Sequence, residues 1–196
     1  MANPFFSLVL LGPPGCGKGT QAELIVNKYG LTAISTGNLY RAEMSQDTEL
    51  GLLAKSYINV GQLCPDSLTL DMLHKHLAGL ENPKGVILDG VPRTLAQAEM
   101  MDGLNYAHPT PVSLVLYIKV DSDEVVKRIL ERAKISHRED DTPEIVTKRI
   151  DTYFKQTAPL INYYEKQGKL MEINGMQSIE RVFEDISNVL NQYVKK

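Results

Sequence analysis

The chain has 196 residues, 43% of them hydrophobic, and its 21 Lys and Arg against 24 Asp and Glu give a formal net charge of −3. This length allows one domain with a full hydrophobic core, and the charge shows no basic excess for nucleic acid or an acidic membrane. The only two cysteines, Cys16 and Cys64, lack a metal-ligand spacing and are too few for a disulfide framework. No signal-peptide pattern and no apolar run of about 18 residues is present. We therefore expect a cytoplasmic protein without a membrane span.

Apolar runs rich in β-branched residues alternate with helical periods along the chain. The pattern predicts strands over 5–11, 32–35, 86–88, 112–120 and 170–174. It predicts helices over 18–29, 65–80, 94–104, 122–132, 142–166 with a kink at Pro159, and 179–194, and two short helices within 39–60. Strands separated by helices of this length predict an α/β fold, with a five-stranded parallel sheet as the middle of three α/β/α layers. Ligands of such sheets bind at the carboxyl ends of the strands.

The most specific motif is GPPGCGKGT over 12–20, directly after the first predicted strand. Glycines that turn backbone N–H groups inward, a lysine and a helix N-terminus together form a phosphate cradle, the P-loop. Gly19 stands where the general P-loop has a Ser or Thr that touches Mg²⁺, and Thr20 lies one position late. Magnesium must therefore be held in part by another residue.

Other polar residues also follow predicted strands. Asp89 ends a buried strand and is the natural carboxylate for magnesium, and Arg93 beside it suits a bidentate grip on phosphate. Thr36 opens a helix that carries Arg41, and a later group of arginines comprises Arg128, Arg132, Arg138 and Arg149. These cations exceed what one nucleotide needs, which favours phosphoryl transfer between two phosphate-bearing ligands. A phosphate acceptor is largely dianionic at pH 7, because its second pKa is ~6, and needs no general base.

With these residues in place, the chain resembles the adenylate kinases, nucleoside-monophosphate kinases of the P-loop class. The matching segments run in order along nearly the whole chain: GPPGCGKGT, ISTGNLYR, GQLCPD, GVILDGVPRTLAQAE, and R-x-x-x-R followed by HREDD and KRIDTYFKQTAPLINYY. The resemblance implies reversible phosphoryl transfer from MgATP to AMP, giving two ADP, by a single domain over 1–196. It implies a small helical AMP-binding insert over about 35–64, a short lid over about 131–141, and no zinc site.

The resemblance also assigns the binding residues. ATP would bind to Gly15, Cys16, Gly17, Lys18, Gly19, Thr20, Arg128, Arg132 and Gln177. AMP would bind to Thr36, Arg41, Gln62, Leu63, Cys64, Gly90, Val91, Pro92, Arg93, Gln97, Arg138 and Arg149. The residues expected to act on the transferring phosphoryl group are Lys18, Arg93, Arg132, Arg138 and Arg149. Asp89 is expected to bind magnesium. Asn38 and Val91 depart from the aspartate and the aromatic residue that the family usually has there.

Three alternatives differ in substrate or class. A UMP/CMP kinase has the same short lid, but Thr36 and Gln97 favour adenine. A GTPase-like switch would need Asn-Lys-x-Asp, and Asn27-Lys28 is followed by Tyr29-Gly30. A binding module without catalysis is disfavoured by the intact lysine and arginines. ATP, AMP and ADP are the expected partners, no nucleic acid or membrane partner is expected, and a monomer is the default expectation.

Overall fold

A parallel sheet lies at the centre of the computed structural model, which describes residues 6–81, 83–103, 110–136 and 142–194. Its strands are β1 (Phe6–Leu11), β2 (Thr32–Ser35), β3 (Gly85–Asp89), β4 (Leu114–Lys119) and β5 (Leu170–Asn174). They lie in the order β2-β3-β1-β4-β5, and each neighbouring pair is parallel. The predicted α/β class with a five-stranded parallel sheet is confirmed.

Helices cover both faces of the sheet because successive strand residues point to opposite sides. The helices are α1 (Lys18–Tyr29), α2 (Thr36–Ser45), α3 (Glu49–Ile58), α4 (Asp66–Ala78), α5 (Leu95–Met101), α6 (Ser122–Ser136), α7 (Pro143–Thr152), α8 (Pro159–Lys166) and α9 (Ile179–Leu190). Leu8 and Leu10 of β1 pack in one core with α1 and α9. Val9 and Leu11 pack in the other core with α4, α5 and α8. No described helix is long and apolar enough to cross a bilayer.

The long helix predicted over 142–166 is wrong in one respect. Its start is right, since the Thr142 side chain accepts from the Ile145 N–H and Pro143 is the first helical residue. However, a π-helical turn (Tyr153–Thr157) separates α7 from α8. Because Pro159 has no N–H and its ring needs room, the chain widens before the proline, and the Ala158 N–H bonds the Tyr153 carbonyl at 2.9 Å.

Helix α6 is also longer than predicted, since it runs to Ser136 rather than ending near Arg132. The first part of the predicted lid is therefore helical, and Arg132 projects from a helix. The rest of that segment, 137–141, lies outside the described residues, and Arg138 with it.

The register of the strands brings the segments that follow β1, β2 and β3 to one edge of the sheet. Asp89, the last residue of β3, pairs with Leu10 near the end of β1 and with Ser35 at the end of β2. The segments that follow these strands begin with Gly12, with Thr36 at the start of α2, and with Gly90, so the predicted motifs meet at the carboxyl edge. Beside this edge, α2 and α3 form a small separate core, to which Tyr40, Ala54 and Cys64 belong.

Candidate functional site

The N-terminus of α1 is built to receive an anion. Ser35, Thr48, Thr94 and Ser178 each accept a hydrogen bond from a first-turn N–H of their own helix. Helix α1 instead begins after Gly17, which has a left-handed φ of 99° and offers no side-chain cap, and its first turn holds no acidic residue. Its first N–H groups and the positive end of its dipole are therefore open to a negatively charged ligand.

The loop before α1 is closely packed beneath this opening. A Cβ on Gly12 would lie 2.6 Å from the Ile118 carbonyl oxygen, and one on Gly15, where φ is 82°, would lie 2.6 Å from Ile129 Cγ1. Both positions therefore require glycine. The Lys18 Nζ donates to the carbonyl oxygens of Gly12 and Pro13, each at 2.9 Å. The ammonium group is thus held over the loop, at the place where a bound phosphate chain would lie.

The opposite edge of the site is formed by the loop after β3. The Thr36 hydroxyl donates to the Gly90 carbonyl at 3.0 Å, and a Cβ on Gly90 would lie 2.6 Å from the Thr36 Oγ1 and 3.1 Å from Arg93 Nη2. Only glycine, here with a φ of 88°, allows the loop to approach this closely. Nearby, Arg41 Nη2 donates to Asn38 Oδ1 at 2.6 Å. Two guanidinium groups therefore lie on this side.

Gln97 lies at the same edge in a closed hydrogen-bond network. Its Nε2 donates to Asp66 Oδ1 at 2.8 Å, and its Oε1 accepts from the Arg93 N–H at 2.7 Å. The Thr94 hydroxyl also donates to Asp66 Oδ1, at 3.0 Å, and Thr94 caps α5 by accepting from the Gln97 N–H. Gln97 is only 1% exposed, so this network fixes its side chain.

The π-helical turn holds two segments of the site. Thr152, just before the turn, donates to the Gly61 carbonyl at 2.9 Å, and Thr157, at its end, donates to the Arg93 carbonyl at 2.8 Å. In a regular α-helix, residues five apart would point about 140° away from each other. The wider π-helical turn therefore lets Thr152 and Thr157 bind both the loop after α3, at Gly61, and the loop after β3, at Arg93.

These groups line one cavity of about 770 Å³. Every predicted ATP-binding residue lines it, namely Gly15, Cys16, Gly17, Lys18, Gly19, Thr20, Arg128, Arg132 and Gln177. So do Asp89 and the predicted AMP-binding residues Thr36, Arg41, Gln62, Leu63, Cys64, Gly90, Pro92, Arg93, Gln97 and Arg149. Val91 does not, because its side chain is completely buried in the core. Arg138 lies outside the described residues.

The residues present fit a magnesium ion held jointly with a substrate. Asp89 is half-buried at the end of β3 and supplies a hard carboxylate oxygen to the cavity. A Cβ on Gly19 would meet nothing within 4 Å, so the space next to the cradle is open. Among the residues that the structure describes, no three His, Cys, Asp or Glu are grouped as a metal site. One carboxylate completed by waters and phosphate oxygens is the usual coordination of Mg²⁺.

Burial controls the ionisation of two groups near α2 and α4. It raises the pKa of the Tyr40 hydroxyl, which hydrogen-bonds to Thr69 Oγ1 at 2.9 Å, and the pKa of the Cys64 thiol. Both groups therefore stay protonated at neutral pH, and Cys64 acts as a lining residue rather than as a thiolate. On α6, the hydrogen bond from Arg128, at 2.8 Å, lowers the pKa of Glu124.

Sequence reasoning missed the residues that position the lining groups. Asp66 belongs to the matched segment GQLCPD, so its position signalled importance, although nothing in the sequence pairs it with Gln97. Thr152 and Thr157 carried no signal, because residues five apart lie on different faces of a regular α-helix.

Known proteins resemble this chain over almost its full length. The family model described as "Adenylate kinase" matches residues 10–169. A protein of Parabacteroides distasonis named "Adenylate kinase" is 48% identical over 94% of this chain and 97% of its own. One from Bacteroides thetaiotaomicron with the same name is 44% identical over 95% of this chain and 98% of its own. A third, from Porphyromonas gingivalis, is 41% identical over 96% and 97%.

Proposed function

This chain belongs to the adenylate kinase family, and we propose that its cavity holds MgATP and AMP together and transfers the γ-phosphoryl group to AMP, giving two ADP. One observation carries the proposal. A single cavity is lined on one side by the phosphate cradle of α1 and on the other by the start of α2 at Thr36 and the loop that begins at Gly90. A one-nucleotide binding site would not need cationic groups on both sides.

The residues of this chain would act by positioning and by neutralising charge. The open N–H groups of α1 and Lys18 would bind the phosphates of ATP. Arg41 and Arg93, at the opposite edge, would bind the phosphate of AMP. Arg132 and Arg149 line the same cavity and would stabilise the negative charge that spreads over the transferring group. Magnesium, held by Asp89 and the substrate, would supply charge neutralisation on the ATP phosphates.

No base is required in this reaction. The AMP phosphate has a second pKa of ~6 and is largely dianionic at neutral pH, so it can attack without losing a proton. This agrees with the cavity lining, in which the only acidic residues among the described positions are Glu23 and Asp89. Asp89 is assigned to magnesium.

We place the AMP-binding insert at about 35–64 and the lid at about 131–141. The small core around Tyr40, Ala54 and Cys64 supports the insert, because α2 and α3 pack against each other in this core, which is separate from the two cores on the sheet. The lid would exclude water, which could otherwise accept the phosphoryl group. The role of Arg138 in binding the phosphates and the absence of a zinc site stay predictions.

The test is a panel of nucleoside monophosphates assayed with MgATP for diphosphate formation. We expect AMP to exceed UMP, CMP and GMP in kcat/KM by at least about ten-fold, since a buried group left unpaired by a wrong base costs ~1–3 kcal/mol. UMP or CMP within a few-fold of AMP would make the protein a UMP/CMP kinase. No transfer to any monophosphate, with ATP still bound, would make it a binding module.

A further inference from the structure

The hydrogen-bond partners of Gln97 determine which way its amide points. The Arg93 N–H can only donate, so the atom at 2.7 Å from it must be the Gln97 oxygen. A carboxylate oxygen accepts hydrogen bonds, so the atom at 2.8 Å from Asp66 Oδ1 must be the Gln97 nitrogen. A turned amide would place two donors together at Arg93 and two acceptors together at Asp66.

Each atom of this fixed amide keeps one further hydrogen-bonding position. Nε2 has a second N–H and Oε1 has a second lone pair, and Gln97 lines the cavity. The amide therefore offers a ligand one acceptor and one donor in an order that cannot be exchanged. A base with an exocyclic amino group next to an unprotonated ring nitrogen matches that order. A base with an oxo group next to a ring N–H has the opposite order.

We propose that Asp66 is a positioning residue that selects amino bases over oxo bases by locking the Gln97 amide. The inference rests on the proposed function, because it assumes that the acceptor base faces Gln97. Adenine and cytosine carry the matching edge, whereas hypoxanthine, guanine and uracil carry the opposed edge. The Thr94 hydroxyl, which donates to the same Asp66 oxygen at 3.0 Å, holds the carboxylate in place.

A purely structural role for Asp66 makes a different prediction. Asp66 is the first residue of α4 and no side chain caps that helix, so its charge also stabilises the helix N-terminus. Loss of that stabilisation would lower the activity with every monophosphate in the same proportion. If Asp66 instead fixes the orientation of the Gln97 amide, its loss changes the ratio of kcat/KM between two acceptors that differ only at the edge facing Gln97. AMP and IMP are such a pair, and CMP and UMP are a second pair.

The experiment measures kcat/KM for AMP and IMP with the wild type, Asp66→Asn and the control Asp71→Asn. Asp71 lies exposed on the same helix, so the control removes the same charge away from the network. The amide that Asp66→Asn introduces can itself turn, so at that position it can pair with either orientation of Gln97, and only the Arg93 N–H still favours the original one. We expect the AMP-to-IMP ratio to fall at least about five-fold in Asp66→Asn, in line with the loss of one buried pairing. The ratio should stay at the wild-type value in Asp71→Asn, and the KM for ATP should be unchanged in both.

Two outcomes would overturn the proposal. One is an Asp66→Asn variant, folded by its melting curve, whose ratio changes less than this five-fold threshold. The other needs no variant: a wild type that uses IMP within a few-fold of AMP, or UMP better than CMP, has no such selection. If the wild type transfers nothing to AMP, the proposed function fails. The relative affinities for AMP and IMP in equilibrium binding then still test the lock.

Discussion

Replacing Lys18 by methionine separates the chemical role of the cradle from its structural role. The ammonium group donates to the carbonyl oxygens of Gly12 and Pro13, each at 2.9 Å, and no other lysine lines the described part of the cavity. Methionine preserves most of the length and apolar stem of the side chain and removes the charge and all three donors. The variant therefore tests whether that charge acts on the transferring phosphoryl group.

The two expected losses differ greatly in size. Removing one preorganised donor from a transition state typically lowers turnover by ~10²–10³. The stability loss is expected near ~1 kcal/mol, because Lys18 is half-exposed and water can reach the site, and this lowers the melting temperature by about 2–4 °C. With a total stability of about 5–15 kcal/mol, more than about 99% of the variant stays folded. Unfolding therefore cannot explain a hundred-fold loss of turnover.

The assay follows ADP formation from saturating MgATP and AMP, with a melting curve for each variant. Lys28→Met is the matched control, since Lys28 is exposed in the last turn of the same helix and its ammonium group lies over the rings of Tyr29 and Phe183, away from the cavity. We expect full turnover from the control. Turnover within ten-fold of wild type in a normally melting Lys18→Met variant would refute the assignment.

Two further variants test contacts around the site. Thr157→Val removes the hydroxyl that donates to the Arg93 carbonyl at 2.8 Å, so we expect the free energy of unfolding to fall by about 1 kcal/mol and the KM for AMP to rise. Thr157→Ser is the control, because serine keeps the hydrogen bond. Equal KM values for AMP in the two variants would contradict this prediction. Burial, with the hydrogen bond to Asp102, raises the pKa of Tyr163 from 10.0 to about 12. The protonated Tyr163 hydroxyl therefore contributes fully to stability below pH 10, and this contribution is lost as the pH rises through about 12. The stability difference between wild type and Tyr163→Phe should shrink over that range in urea unfolding, and a constant difference would show that Tyr163 does not titrate there.

Regular elements with strong local patterns could be predicted from the sequence. Helix α1 and strands β2 and β5 begin and end at the predicted residues, because Gly30 stops the helix and short apolar runs define the strands. The end of α6 could not be predicted, since the sequence after Arg132 has no glycine or proline to stop a helix before Pro143. Pro159 marks where the helix is interrupted, but the contacts that the π-helical turn makes with Gly61 and Arg93 could not be predicted, because these residues are distant in sequence.

The site follows the same division. Most residues that line the cavity were predictable, because phosphate chemistry demands glycine, lysine and arginine at fixed places after strands. Residues that hold those groups were not, because any hydroxyl or carboxylate at the right distance would serve. Asp66 reaches Gln97 across 31 positions of the sequence, and only the packing of α4 against α5 brings them together.

Val91 and Asn38, which depart from the family pattern, are compatible with the geometry of the cavity. Val91 lies in the core with its side chain completely buried, so an aromatic residue is not needed there to form the cavity wall. Asn38 Oδ1 accepts from Arg41 at 2.6 Å, which is the bond that an aspartate would also accept. An aspartate, however, would cancel the positive charge of the guanidinium group, whereas the neutral amide orients it without cancelling that charge. The substitution that removes a charge from the protein therefore increases the net positive charge at the place where AMP would bind.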